Sequence, residues 1–313
     1  MERRKYITPM IAACILIVLL SSSAPKALVS AVLFLETGRT AALQQTTPTE
    51  EPTQPQNPTT EPTQPEPQLQ FTQEDLLPVR MQYGCDYRPD LEKLLIKPLD
   101  WDLTGDEPTV LIIHTHATES YEGTEGYHSR EPSENMVGIG AQIARVLEEG
   151  GIRVLHDTTL HDDPHYNTAY SAARATVQRY LAQYPSIRMV LDIHRDASAD
   201  DDSQMVTSAT VGGQKCAQLM MVVGTDAGGN THPNWQENLA LALKLTAVLE
   251  QENPGICRPI NLRSERFNMD LTAGSLLVEV GAAGNTRQEA LIAADALAQA
   301  ILVLQNGANT TAS

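Results

Sequence analysis

Three short apolar segments, each joined to residues that bind metals, constrain this chain more than any other feature. The segments cover residues 110–113, 189–193 and 276–280, and each has the length of a buried strand. Residues of metal-binding types follow or interrupt them: His114, His116, Glu119, His194 and Glu279. Loops at the carboxyl ends of parallel strands form the ligand-binding crevice of α/β proteins. Because a catalytic zinc needs three protein ligands and an open position, the pattern predicts a zinc site at one sheet edge.

The alternative interpretation of these residues is structural. A single histidine at a strand end is more commonly a hydrogen-bonded structural residue than a ligand, but three coincident strand ends favour the metal site. Residues 156–166 hold three more His and three Asp. A solvated loop before a helix collects such residues as turn and cap formers. We therefore predict structural contacts or a substrate wall there rather than a second metal.

Helical periodicity separates the apolar strands. Apolar residues recur at helical spacing within residues 139–147, 173–184, 239–249 and 287–304. Residues 206–211 and 217–224 predict a β-hairpin that turns at Gly212-Gly213. The alternation of strands and helices predicts the α/β class, with a mostly parallel sheet and helices on both faces.

The N-terminal segment predicts a membrane anchor within residues 1–40. Three basic residues precede residues 6–24, which carry no charge and approach the ~20 residues that span a bilayer. The basic residues place the N-terminus inside the cell. A cleaved signal peptide is the alternative, because residues 22–24 are small, but Pro25 argues against cleavage there. We expect an uncleaved single-pass anchor with the rest of the chain outside the cell membrane.

Residues 41–77 predict a linker. Between residues 44 and 70 the chain consists mainly of Thr, Pro, Gln and Glu, which cannot bury enough apolar surface to fold. In polyproline geometry about 27 residues reach up to ~80 Å, a tether suited to an immobile polymer near the membrane. The catalytic domain is then predicted for residues 78–308.

Charge and cysteine content argue against two kinds of partner. The chain has 39 Asp and Glu against 22 Lys and Arg, a net charge of −17, and no basic stripe follows residue 40. This balance argues against nucleic acid as a partner. Cys14 lies in the predicted anchor, and Cys85, Cys216 and Cys257 show no CxxC spacing, so zinc ligation by cysteine is not predicted. Whether two of these three form a disulfide stays open.

Six short motifs occur in an order typical of one family. They are HTHATESY at 114–121, NMVGIG at 135–140, LDIHRDA at 191–197, PNW at 233–235 with Asn238, RFNMDL at 266–271, and EVG at 279–281 with Asn285-Thr286. Together they resemble the stage II sporulation protein P family of endospore-forming bacteria, over about residues 105–305. That family is similar in fold to the zinc N-acetylmuramoyl-L-alanine amidases. The anchor and the Pro-rich linker also fit the family.

The resemblance implies a peptidoglycan hydrolase with zinc as its cofactor. The implied reaction is an amidase step that frees stem peptides from glycan, with an endopeptidase step on cross-links, in the septal wall during engulfment. Carried onto this chain, the amidase pattern assigns His116 and His194 as zinc ligands and Glu279 as the catalytic base. Glu119 is predicted as the third zinc ligand because it belongs to the sporulation family's own motif, although the order of the amidase residues matches Glu131 or Glu134 better. Alternatives stay open for two ligands: His114 as the first ligand, and Glu131 or Glu134 as the carboxylate.

Four further assignments concern catalysis and substrate. Arg195 is predicted to stabilise the developing oxyanion or to pair with a neighbouring Asp. Arg266 is predicted to bind a stem-peptide carboxylate or to form a surface salt bridge. His114 and Asn268 are predicted substrate contacts. The resemblance also implies sporulation proteins D and M as partners.

Two other functions remain alternatives. A membrane-tethered wall-binding module without chemistry predicts damage at one of the four core positions, and the sequence shows none. The second alternative is a zinc carboxypeptidase that acts only on peptide ends. Analysis of the products released from purified sacculi distinguishes it from an amidase. The bond cleaved within the stem, the activator and the oligomeric state are not encoded in any pattern that we identify.

Overall fold

The computed structural model describes residues 70–99, 102–198 and 205–309. The predicted anchor and residues 41–69 of the predicted linker lie outside these residues. The α-helices are α1 (Leu91–Ile96), α2 (Met136–Glu149), α3 (Ala169–Gln183), α4 (Trp235–Glu252) and α5 (Arg287–Asn309). The strands are β1 (Met81–Tyr83), β2 (Val110–Ile113), β3 (Val154–His156), β4 (Met189–Asp196), β5 (Ala209–Val211), β6 (Gln214–Cys216), β7 (Leu219–Gly224), β8 (Ile260–Arg263) and β9 (Ser275–Ala282).

Seven strands form one mixed sheet in the order β1-β8-β7-β9-β4-β2-β3. Every neighbouring pair is parallel except β7 and β9, which are antiparallel. The prediction of an α/β fold with a mostly parallel sheet is therefore confirmed.

Alternate residues of the central strands pack on opposite faces of the sheet, as strand geometry requires. Val110 and Ile112 of β2 belong to the large core that includes α2, α4 and α5. Leu111 and Ile113 belong to a second core beneath α3, together with Ala173. Burying one such aliphatic side chain stabilises the fold by about 1.5–3 kcal/mol. Both faces are thus covered by helices, which explains why β2 is apolar throughout.

Helix α2 begins and ends where its sequence predicts. The Asn135 side chain accepts a hydrogen bond from the main-chain N–H of Val137, which satisfies one of the unpaired donors at the helix start. Ile143 and Leu147 are fully buried, as the periodicity of this segment predicts. Gly150 ends the helix. The helix therefore presents one apolar face to the sheet.

The predicted hairpin is only partly correct. β5 and β6 form a short antiparallel pair on either side of Gly212-Gly213. Leu219–Gly224 does not belong to this hairpin but joins the main sheet as β7, parallel to β8 and antiparallel to β9. All six residues of β7 are buried. A two-stranded hairpin cannot cover both faces of such a strand, whereas the interior of a helix-covered sheet can.

The sequence does not predict β1 or β8, at the far edge of the sheet. These strands have only three and four residues, and periodicity over so short a stretch does not distinguish strand from loop. β1 pairs with β8 in parallel. Residues before the predicted domain start at 78 also contribute, because Phe71 and Leu76 pack against the main core.

Among the described helices, one is long and apolar enough to cross a membrane by length and composition, over Arg287–Gly307. It coincides with most of α5. Leu297, Ile301 and Leu304 of this helix are buried in the main core. This burial is typical of a core helix in a globular domain.

Candidate active site

The carboxyl ends of β2, β4 and β9 bring four predicted site residues together. β4 is the parallel neighbour of both β2 and β9, and His194 on β4 lies opposite Glu279 on β9. The chain leaves β2 directly into the loop that carries His116 and Glu119. Strand pairing therefore gathers residues that are far apart in the sequence.

His116, Glu119 and His194 form the centre of this cluster. Nδ1 of His194 lies 3.5 Å from Oε2 of Glu119, and the rings of His116 and His194 are 5.5 Å apart, edge to face. The main-chain N–H of Arg195 donates to the same Glu119 oxygen at 3.3 Å. The three residues are 8%, 7% and 3% exposed. Two imidazoles and a carboxylate thus meet where water has little access.

Asp192 contacts His194 from the other side. Its Oδ1 lies 3.0 Å from Nε2 of His194, and Thr115 donates to the carboxylate through its main-chain N–H at 2.7 Å and its hydroxyl at 2.5 Å. Burial raises the pKa of Asp192, but His194 and Thr115 outweigh burial and hold it below its usual value. Burial lowers the pKa of His194, but Asp192 and Glu119 outweigh this and hold it well above its usual value. The two carboxylates flank the imidazole, Glu119 at Nδ1 and Asp192 at Nε2.

Glu279 lies in surroundings that favour its neutral form. Burial raises its pKa, His194 lowers it in part, and the charges of Glu119 and Asp196 raise it further, to about 8. Its Oε2 is buried and has no hydrogen-bond partner among the described residues, while the rest of the side chain keeps some exposure. A nearby cation would favour the ionised form. A carboxyl group whose pKa lies near neutrality is suited to proton transfer.

The donor set at the centre of the cluster is of the type that zinc prefers. Nδ1 of His116 is buried without a hydrogen-bond partner in the described part of the chain. Burial raises the pKa of Glu119, but His194 and Arg195 outweigh it and hold this pKa below its usual value, so the carboxylate is anionic. Among the described residues, no group of three or more His, Cys, Asp or Glu has the arrangement needed to hold a metal ion. The donor chemistry fits zinc, and ligation by His116, Glu119 and His194 is a proposal.

The structure contradicts the interpretation of His114 as a substrate contact. Its ring is 0% exposed. Nδ1 lies 3.1 Å from the Ile193 carbonyl and therefore donates, which leaves Nε2 to accept from Nε2 of His156 at 2.9 Å. An added Cβ at Gly140 would lie 2.5 Å from this ring, so only glycine lets α2 approach it. His114 supports the main chain just before His194 and cannot touch a substrate.

Arg195 binds the loop that follows Glu119 through two of its guanidinium nitrogens. Its Nε donates to the Ser120 carbonyl at 3.0 Å, and its Nη2 donates to the Tyr127 carbonyl at 3.1 Å. Both carbonyls belong to the loop that follows Glu119. Because its Nε and Nη2 bind main-chain oxygens, Arg195 holds this loop, and the catalytic role predicted for it remains a prediction.

The two alternative carboxylates lie on the surface. Glu131 and Glu134 are both exposed, and Glu134 accepts a hydrogen bond from the Ser129 hydroxyl at 2.7 Å. Glu119, by contrast, is buried against His194. The geometry favours Glu119 as the carboxylate of the cluster.

Two tyrosines that the sequence analysis does not single out lie against His116. The Tyr166 ring stacks on the imidazole, with centroids 4.2 Å apart and planes at 17°, and remains 55% exposed. The Tyr170 ring meets the same imidazole edge to face at 5.5 Å. The sequence carries a weak signal for them, because residues four apart at a helix start share one face.

The His- and Asp-rich loop before these tyrosines makes structural contacts. The His161 ring bonds the His114 carbonyl at 2.9 Å and the Thr176 hydroxyl at 3.0 Å. Asp162 accepts a hydrogen bond from the Thr118 hydroxyl at 2.6 Å. The sequence analysis predicts structural contacts for this loop, and these hydrogen bonds are of that kind. They attach the loop to the segment that carries His116 and Glu119.

Arg266 and Asn268 lie one step further out, on a cavity that adjoins the cluster. Asn268 donates from Nδ2 to the Tyr170 carbonyl at 2.8 Å, so its amide supports the site wall. Arg266 has its Nη1 3.6 Å from Oδ2 of Asp270. Both residues line the cavity together with Tyr170. Their substrate roles remain predictions.

The family model of stage II sporulation protein P matches residues 32–302. The chain belongs to this family. The stage II sporulation protein P of Bacillus subtilis (strain 168) is 30% identical over 211 residues, which cover 62% of this chain and 50% of that protein. The chain therefore matches about half the length of this curated relative. The family predicted from the six motifs is confirmed.

Several solved amidases show a weaker likeness to this family member. N-acetylmuramoyl-L-alanine amidase AmiC2 of Nostoc punctiforme has a TM-score of 0.39 and 14% identity, covering 64% of this chain and 97% of that chain. The CwlD amidase from Clostridioides difficile, in complex with the GerS lipoprotein, has a TM-score of 0.41 and 12% identity, covering 65% and 99%. Ami1 from Mycobacterium smegmatis has a TM-score of 0.40 and 12% identity, covering 66% and 99%. With TM-scores below 0.5, the fold assignment rests on the strand order itself.

Proposed function

We propose that this chain is a peptidoglycan hydrolase of the N-acetylmuramoyl-L-alanine amidase type. The observation that carries the proposal is the convergence of His116, Glu119, His194 and Glu279 at the ends of three strands. The bond cleaved is the amide that joins a stem peptide to the glycan, and we include an endopeptidase step on cross-links. Membership of the sporulation family supports a cell-wall substrate.

In this proposal His116, Glu119 and His194 hold the zinc ion. When bound, zinc acts as a Lewis acid and brings the pKa of water towards ~7. Glu279 takes the proton from the attacking water and returns it to the leaving amine. Glu279 lies opposite His194 on the neighbouring strand, beside the proposed zinc ligands.

Neighbouring side chains orient this machinery. Asp192 holds the His194 ring in one orientation, and a carboxylate behind a ligand histidine also raises the basicity of the ring. Tyr166, stacked on His116 and half exposed, offers an aromatic face to an incoming substrate. Tyr170 covers the same imidazole from the edge. Together they limit the approach of water to the cluster.

The setting of the reaction is part of the proposal. We place the catalytic domain outside the cell membrane, held by the uncleaved anchor and reaching the septal wall through the linker during engulfment. Sporulation proteins D and M are the proposed partners. A tether that keeps the enzyme beside an insoluble polymer raises its local concentration at the substrate.

Incubation of the full-length chain in detergent with purified sacculi tests the function. We expect new amino-terminal alanine on released stem peptides, one zinc per chain, and loss of hydrolysis in chelator that returns with added zinc. Full activity in chelator with no bound metal would contradict the mechanism. Binding to sacculi without any release would instead indicate a wall-binding module, and release of single terminal amino acids alone would indicate a carboxypeptidase.

A further inference from the structure

A cavity of about 540 Å³ adjoins the cluster and shares one wall with it. Its lining includes Tyr170, Arg174, Ser264, Arg266, Phe267 and Asn268. The Tyr170 ring lies 5.5 Å from the His116 ring on one side and 5.9 Å from the Phe267 ring on the other. A molecule in the cavity would therefore lie next to the residues proposed to carry out the chemistry.

The far wall of the cavity is a strained turn. Phe267 and Asn268 have φ angles of +49° and +60°, two consecutive non-glycine residues in the left-handed region. Side chains on other elements hold this turn: Asn268 donates to the Tyr170 carbonyl at 2.8 Å, and Asn234 donates to the Asp270 carbonyl at 3.2 Å. Such strain persists only where the surroundings impose it, and it concentrates at binding sites.

Among the described residues that line the cavity, Arg266 is the cation best suited to bind a ligand. Arg174 makes a two-pronged salt bridge with Asp270, with both nitrogen–oxygen distances at 2.8 Å. Glu265 contacts Arg263 at 3.2 Å. Arg266 makes only a 3.6 Å contact with Asp270, and a third of its side chain is exposed. Its guanidinium can therefore take a carboxylate while Asp270 keeps its partner Arg174.

We propose that this cavity receives a carboxylate-bearing part of the stem peptide and that Arg266 binds the carboxylate. This proposal rests on the amidase function proposed above. It identifies the part of the substrate that the cavity recognises. A guanidinium fork matches a carboxylate through two parallel hydrogen bonds, a geometry that a neutral sugar does not offer. Tyr170 lines the cavity and also contacts His116, so a peptide that extends from the cavity to the cluster passes along this side chain. Binding at Arg266 thus helps to select which amide lies against His116.

The test uses two soluble disaccharide-peptide fragments of the wall that differ only in their carboxyl groups. One keeps them, and in the other they are converted chemically to amides. We expect the full-length chain to show a 10- to 100-fold higher kcat/KM on the carboxylate form, mainly through KM, because hydrogen bonds to charged groups contribute this much. Arg266→Ala should treat both forms alike, and Arg266→Lys should keep part of the preference.

Arg179→Ala is the matched control. This substitution also removes one arginine charge, but Arg179 is exposed on α3 and does not line the cavity. It should keep the full preference. Calorimetric binding of both fragments to the Glu279→Gln chain adds a readout without hydrolysis, and thermal unfolding confirms that each variant is folded. If neither fragment is hydrolysed, the proposed function is contradicted. The calorimetric measurement would still show whether the cavity binds the carboxylate fragment more tightly than the amide fragment. Equal binding of both fragments, or a preference that survives Arg266→Ala, would overturn the proposal.

Discussion

Glu119 and Glu279 are two carboxyl groups of one cluster whose surroundings drive their pKa values in opposite directions. Burial acts on both, but the positive partners His194 and Arg195 outweigh it at Glu119. At Glu279 burial prevails and raises the pKa to about 8. Separation of this kind is how neighbouring carboxylates take different roles, one as a fixed anion and the other as a proton carrier.

A Glu279→Gln substitution tests the proton-carrier role. The amide keeps the shape of the side chain but cannot accept the proton from water. We expect wall hydrolysis to fall by ~10²–10⁴-fold, with zinc content unchanged. Release assays on sacculi and metal analysis of the same sample measure the two effects. Near-normal hydrolysis would show that Glu279 is a structural hydrogen-bond partner instead.

A Glu119→Ala substitution tests the ligand role, with Glu134→Ala as its control. Removing one of three protein ligands weakens the metal site itself, so we expect Glu119→Ala to lose zinc and activity together. Glu134 is exposed and accepts a hydrogen bond from the Ser129 hydroxyl, so its variant should keep both zinc and activity. Metal analysis after dialysis decides the matter. Zinc retained in Glu119→Ala and lost in the control would reverse the assignment.

At the scale of elements, α4 is unusual because it buries a lysine among apolar residues. Every residue from 238 to 249 is buried, and Lys244 is only 3% exposed. Its ammonium donates to the Leu95 carbonyl near the end of α1 and lies 4.7 Å from the Phe71 ring. Burial lowers the Lys244 pKa to about 8. The lysine joins α4 to α1, at the cost of removing its charge from water.

A Lys244→Met substitution should stabilise the domain in a pH-dependent way. The unfolded lysine keeps its proton up to its usual pKa near 10.5, whereas the folded one loses it near 8. The wild type therefore gains stability as pH rises through this window, and the advantage of methionine, roughly 1–2 kcal/mol, is largest below pH 8 and disappears above 10.5. Thermal unfolding at pH 7 and pH 9.5 measures it. An advantage that is independent of pH would contradict the argument.

Lys97→Met provides the comparison for Lys244→Met. Lys97 is half exposed and contacts Glu237 on the surface at 2.7 Å. An exposed ion pair contributes little, so this variant should change the free energy of unfolding by less than about 1 kcal/mol.

At the scale of the whole molecule, the proposed function depends on the chain staying in the membrane. Residues 6–24 are long and apolar enough to span, and Pro25 follows the only small-residue cleavage site considered. We expect the native protein to keep its N-terminal segment. Mass spectrometry of the N-terminus of protein extracted from membranes measures this. A mature chain beginning between residues 22 and 45 would show that the segment is a cleaved signal peptide.

The sequence by itself determined the family, the α/β class and the residue types of the site. The family follows from the order of the six motifs. The α/β class and the residue types follow from local properties: apolar runs of strand length, helical periodicity such as that of Ile143 and Leu147, and polar residues at the points where the strands stop. Local patterns suffice here because the carboxyl ends of parallel strands must meet at one edge. The same reasoning failed for β7, because a run of five apolar residues and a glycine has the same pattern in a hairpin strand as in a strand inside a sheet.

Only the tertiary structure decided which side chains share the site. It set His116 rather than His114 beside His194, because the His114 ring turns inward to His156 and to the Ile193 carbonyl. It also turned the Arg195 guanidinium to two loop carbonyls and brought Tyr166 over His116. The physical reason is that these contacts join residues about 40 to 80 positions apart, whose meeting depends on strand pairing and loop packing rather than on the composition of any one segment.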